Sequence, residues 1–152
     1  HYFSRLENTI KSNWDGIALA NFRGETFTFG ELAKQIARFD VFFETVGLKK
    51  GDKVALCAKN SARWGITFFA ANTYEAVLVP ILADFHPESV NSLVDHSESK
   101  VLLTDSDIWS CSCALSSSLA VSLSSTAFSS RISALSYSPL ANKLLPVLYN
   151  PA

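Results

Sequence analysis

Apolar positions recur in two rhythms along this chain, and the switches between them outline its elements. Phe3, Leu6 and Ile10 fall three or four apart within Tyr2 to Ser12, the spacing of one helical face. Ile17 to Phe22 and Glu25 to Phe29 then favour extended backbone, and the Arg23-Gly24 pair between them predicts a hairpin. The clearest helix signal follows. Thr28 and Glu31 stand three apart, so each side chain can bond the other residue's amide in a capping box, and the acid also suits the positive end of the helix dipole. Leu32, Ile36, Phe39, Phe43 and Val46 continue on one face, and Gly47 supplies the left-handed residue that ends a helix. A stripe of this kind is core, and no binding role is assigned to it.

From Lys53 onward the pattern reads βαβαβ. Lys53 to Ala58 is a short apolar run after Gly51-Asp52, as in a strand buried on both faces. Asn60 or Ser61 caps a helix reaching about Tyr74. Its middle, Trp64 to Ala71, is apolar nearly all round and predicts protein cover on most sides. Ala76 to Leu82 forms a second buried strand, with Pro80 at its end or on an edge. Pro87 opens a further helix whose Val90, Leu93 and Val94 face inward, and Val101 to Thr104 closes the unit as a third strand. Strands alternating with helices of these lengths give an α/β fold: a parallel sheet with flanking helices, preceded by a helix and a hairpin.

Composition adds a seam near Trp109. The chain has 152 residues, enough for one domain, and a formal net charge of −1, which gives no electrostatic case for nucleic acid. Residues 1–109 hold 11 of the 13 basic residues, all 14 acidic ones and all 6 glycines. Residues 110–152 keep only Arg131 and Lys143 as charges, and 13 of these 43 positions are serine. Cys111 to Ser130 is free of charge for 20 residues, but nine of them are serine, which argues against a membrane span. The frequent Leu, Val and Phe are equally wrong for a solvated linker. A domain segment remains open, and translation in a wrong reading frame is the favoured account. The expected division is therefore 1–109 as a partial domain and 110–152 as a Ser-rich, non-homologous tail, wrong-frame or disordered. The chain lacks methionine and starts at His1, so its natural N-terminus is expected upstream, and no signal peptide is indicated.

Candidate chemistry is sparse. After the first strand of the βαβ unit the chain reads Ala58-Lys59-Asn60-Ser61, without the glycines that admit a pyrophosphate, so an ordinary capped helix is the preferred reading. His86 and His96 flank a helix ten residues apart and do not form a metal pair, and Cys111-Ser-Cys113 has no second half. Cys57 reads as a small buried hydrophobe. Asp105 and Asp107, like Glu88, Asp95 and Glu98, read as solvated turn and helix-face charges. No catalytic, cofactor-binding or metal residue is assigned.

Two stretches, TFTFGELAKQIARF and GDKVALCAKNSARWGITFFAANTYEAVLVPILADFHPESVNSLVDHSESKVLLT, resemble the N-terminal region of adenylate-forming acyl-CoA ligases (AMP-dependent synthetases), particularly long-chain fatty acid–CoA ligases. The similarity covers about residues 4–109. It implies a two-step reaction in which a carboxylate attacks the α-phosphate of ATP, releasing pyrophosphate, and coenzyme A thiolate then displaces AMP. It also implies ATP, Mg²⁺, coenzyme A and a fatty acid or other carboxylate for the full-length relative, a cytoplasmic location, and no membrane span. The family's glycine-rich phosphate loop would fall in or beyond the glycine-free tail, and its C-terminal lysine lies further on. No catalytic residue is therefore carried over, and the chain is expected to be inactive alone. The rival reading is a non-catalytic α/β binding or interaction module. One departure stands out: the family usually has glycine where this chain has Glu75, a position where a left-handed helix end would cost Glu about 1–2 kcal/mol.

Overall fold

The computed structural model describes residues 2–105 and 119–122. In chain order it contains α1 (Tyr2–Ser12), β1 (Ile17–Ala20), β2 (Thr26–Thr28), α2 (Phe29–Thr45), β3 (Lys53–Cys57), α3 (Ala62–Thr73), β4 (Val77–Ile81), α4 (Pro87–Ser97), β5 (Val101–Thr104) and β6 (Leu119–Ser122). The strands β1 and β2 form an antiparallel hairpin, and the other four form one sheet in the order β4-β3-β5-β6. Its pairings are all parallel. The expected α/β fold is what the chain adopts.

The alternation of side chains along β3 divides the core in two. Val54 and Leu56 point to one face, where they meet Leu32, Ile36, Phe39 and Phe43 of α2 and Ile66 and Ala70 of α3. Ala55 and Cys57 point to the other and meet Val90 and Val94 of α4. All four of these β3 residues are fully buried, as a strand covered on both faces requires. Each large side chain so buried contributes about 2–3 kcal/mol, and this burial rather than helix propensity holds α2 and α3 in place.

The capping box forms as the sequence predicts. The Glu31 amide donates to Thr28 Oγ1 at 3.1 Å, and the Thr28 amide donates to Glu31 Oε2 at 2.8 Å. Phe29 accordingly begins the helix instead of ending the strand before it. At the other end the Leu48 amide reaches the Phe43 carbonyl at 2.9 Å and the Gly47 amide reaches Glu44 at 3.0 Å, with Gly47 at φ 72°. That is a Schellman closure, and Leu48 and Phe43 pack in the same core.

Several expectations need correction. The hairpin turns over Asn21–Gly24, closed by the Gly24 amide on the Asn21 carbonyl, and the positive φ of 53° falls on Arg23. Among the described residues the strand β4 is an edge, not a buried strand, because only β3 pairs with it. Val77 is 48% exposed, and Pro80 sits where its missing N–H costs no ladder bond on the open side. Leu93 is 38% exposed, since only Val90 and Val94 of α4 reach the sheet. On α3, Ile66, Ala70 and Ala71 are buried but Trp64, Phe68 and Phe69 are half-covered. Trp64 and Phe68 shield each other by stacking, with centroids 5.7 Å apart and planes 13° from parallel. The sheet also does not end at β5: Leu119–Ser122 pairs with Val101–Thr104, so backbone pairing crosses the composition seam. The rest of 110–152, with Asp107, lies outside the described residues. No helix among the described residues is long and apolar enough to cross a membrane.

Glu75 follows α3 with φ 65°. Its amide donates to Asn72 at 3.1 Å and the Ala76 amide to Ala71 at 2.9 Å, a second Schellman closure with Glu at the left-handed position. The Lys50 ammonium meets Glu75 Oε1 at 2.8 Å, but both side chains are largely exposed, so this pair offsets only a few tenths of a kcal/mol. Glu75→Gly is therefore expected to raise stability by about 0.5–1 kcal/mol, read as a higher urea midpoint at unchanged slope.

Asp40 on α2 is a second strained position. Its Oδ1 is buried and has no hydrogen-bond partner among the described residues. Burial, helped by the nearby Glu44 charge, pushes its carboxyl up to about 7 from 3.8. As pH rises between these values the unfolded chain ionises while the folded chain keeps its proton, so stability falls across that window. Asp40→Ala should stabilise the fold by on the order of 2 kcal/mol at pH 8 and little at pH 4. Denaturant midpoints of both proteins at the two pH values check this; an equal difference at both would contradict it.

Candidate functional site

In an open parallel sheet, ligands sit beyond the carboxyl ends of the strands where the strand order reverses. That point lies here between β3 and β5, because the chain leaves β3 toward β4 on one side and returns to β5 on the other. The residues at this point are Ala58–Ser61, the start of α3, and Asp105.

Three backbone amides at this point are already taken by side chains. The Lys59 amide donates to Asp105 Oδ2 at 2.9 Å. The Ala62 amide donates to Asn21 Oδ1 at 2.7 Å, and the Trp64 amide to the Ser61 hydroxyl at 3.2 Å. Ser61, rather than Asn60, is thus the cap. Asn21 and Ser61 satisfy two of the orphan donors of α3 that would otherwise attract an anion, and Asp105 takes an amide of the turn before it. Asp105 is therefore not a merely solvated charge; it ties the turn after β3 to the end of β5. A phosphate would have to displace Asp105 and approach its negative charge, so these residues do not fit the nucleotide of an ATP-dependent reaction.

The hairpin is clamped to the same place. Arg63 Nε and Nη2 donate to the Glu25 carboxylate at 2.9 and 2.6 Å. This bidentate hydrogen bonding lowers the Glu25 carboxyl and raises the Arg63 guanidinium, each against the opposing effect of burial. Cys57 is fully buried at the end of β3, where burial and then the Asp105 charge raise its thiol, leaving it unreactive as the sequence suggests. His86 and His96 are both exposed, and no group of three metal-ligating side chains forms among the described residues. The cluster is built to hold β1–β2, α3 and β5 together. The sequence held the signal for Ser61 but none for Asn21 or Asp105, whose partners lie 41 and 46 residues away.

The profile of the family described as "AMP-binding enzyme" matches residues 6–143. The chain belongs to that family. The match crosses the composition seam at Trp109, as β6 does. Among its relatives, acetyl-coenzyme A synthetase of Vibrio parahaemolyticus is 30% identical over 91 residues, covering 60% of this chain and 14% of the synthetase. Crotonobetaine/carnitine–CoA ligase of Proteus mirabilis is 33% identical over 78 residues, covering 51% of this chain and 15% of the ligase. The chain thus spans a small part of the length of these AMP-binding enzymes. Of solved structures, a benzoate CoA ligase from Burkholderia xenovorans superposes with a TM-score of 0.76 at 17% identity, over 86% of this chain and 28% of the ligase. The N-terminal subdomain of Klebsiella oxytoca NpsA, bound to 3-hydroxybenzoyl-AMSN, gives 0.66 at 23% identity over 78% of this chain and 29% of NpsA. At such identities the superpositions establish the shared fold.

Because Asn21 and Ser61 share the capping of α3 and Glu25 clamps Arg63 beside it, removing one of these side chains should cost stability in proportion to how buried its bond is. Asn21→Ala leaves the Ala62 amide without an acceptor and is expected to destabilise by about 1 kcal/mol. Glu25→Gln loosens a half-exposed pair and should cost only a few tenths of that. Urea unfolding of both variants tests the order; the reverse order would mean that the ion pair, not the cap, fixes the hairpin.

Proposed function

We propose that this chain is the N-terminal scaffold portion of an ATP-dependent acyl-CoA ligase, and that it is inactive alone. The observation that carries the reading is the match of an AMP-binding family profile to 138 of its 152 residues, on a fold in which three switch-point amides are taken by its own side chains. In the whole protein, ATP, Mg²⁺, coenzyme A and a carboxylate substrate meet residues beyond this scaffold. We assign the carboxylate to the fatty acids, on the resemblance of residues 4–109; the relatives named above act, by their names, on acetate, crotonobetaine or carnitine, and benzoate. With this reading go a cytoplasmic location, no nucleic acid partner, and a division at residue 109 that rests on composition alone.

A segment exchange tests the proposal. Residues 4–109 replace the corresponding stretch of the crotonobetaine/carnitine–CoA ligase, and pyrophosphate release is followed with ATP and the host's own substrate. The chimera is expected to keep adenylation and the host's substrate preference, because this portion supplies framework and no reacting group. The isolated chain, assayed with acetate, benzoate and palmitate, should release no pyrophosphate above a denatured control. A folded but inert chimera would contradict the scaffold reading, and turnover by the isolated chain would contradict its dependence on the remainder.

A further inference from the structure

The helix α4 presents an outer face that the fold does not use. Val90 and Val94 take the inner side, and on the outer side Phe85, Glu88, Ser89, Ser92 and Leu93 line an open depression of about 480 Å³. Phe85 is 44% exposed, Leu93 38%, and Leu82 on the preceding loop 66%. Three of the seven large apolar side chains exposed among the described residues thus lie in one stretch of twelve residues. Its charge is equally uneven. From Trp64 to Ser99 the sequence has no lysine or arginine, while Asp84, Glu88 and Asp95 are exposed and make no ion pair among the described residues.

We propose that this face docks a basic amphipathic peptide segment of a partner protein. Phe85 and Leu93 give apolar seats, and Glu88 in the lining, with Asp95 seven residues on along α4 and Asp84 next to Phe85, gives counter-charges for lysine or arginine. The same charges select against other occupants. A fatty acid carboxylate, a nucleotide or an anionic membrane would each bring negative charge to a depression whose lining holds Glu88 and no lysine or arginine. The half-covered ridge of Trp64 and Phe68 on α3 lacks this signature, since Arg63 stands beside it and the acid there, Glu25, is already paired with Arg63.

A fluorescein-labelled peptide with leucines at helical spacing and lysines between them is the probe, titrated by anisotropy against the full 152-residue chain. Binding should weaken about tenfold in Glu88→Lys/Asp95→Lys and in Leu93→Ser, all exposed positions, and should weaken with added salt. Amide shift changes should map to residues 82–96. The same peptide with glutamate for lysine should not bind. No binding of the lysine peptide, equal binding by the glutamate peptide, unchanged affinity in the variants, or shifts centred on Trp64 and Phe68 would each overturn the proposal. So would concentration-dependent dimerisation abolished by Leu93→Ser, which would make a second copy of this chain the occupant.

Discussion

A parallel strand cannot be paired by a tight turn, so everything around β3 has to be brought to it from a distance. The strand receives β4 on one edge and β5 on the other, α2 and α3 on one face, and α4 on the opposite face. Its side chains alternate between two cores, and Val54 to Cys57 are fully buried. A single added charge there would have no water and no partner. Because crossover helices must lie on the sheet, the sidedness of β3 also decides where α3 and α4 fall and hence where the strand order reverses.

Polar ties at both ends of the sheet fix what the cores leave loose. At the amino ends, Asp52 accepts from the Lys49 amide and from the Lys100 ammonium, each at 2.7 Å, and these bonds hold its carboxyl below the usual range. At the carboxyl ends, Asn21 and Ser61 take amides that open α3, and Asp105 takes the Lys59 amide in the turn before it. The second set occupies the place where an α/β fold ordinarily meets its ligand. In this family member that place is structural within the described residues.

Two positions run against local rules. Glu75 stands where only the absence of a Cβ would be comfortable, and Asp40 turns a carboxylate oxygen into the packing around α2 without a donor to meet it. Neither is explained by a site in the described residues. The family profile and the pairing of β6 with β5 both reach past Trp109, so the abrupt change of composition there does not coincide with a break in backbone pairing.

The sequence by itself determined the elements and their class, because helix caps and side-chain periodicity are short-range matters. Thr28 and Glu31 are three residues apart, Gly47 needs only its own φ, and β3 announces its burial by having no polar alternation. Even the left-handed position of Glu75 was legible, through a resemblance that expects glycine there. What the sequence could not carry was which side of each element another would cover. Leu93 and Val90 are equally apolar, yet only the rotation of α4 on the sheet decides that one is buried and the other exposed. The strand β4 reads as interior from its valines, and its edge position follows from the strand order alone. Asn21 and Asp105 look like any turn residue until the fold brings them within hydrogen-bond distance of amides some forty positions away. Those contacts are decided by tertiary structure because a hydrogen bond depends on separation in space, to which separation along an unfolded chain gives no guide.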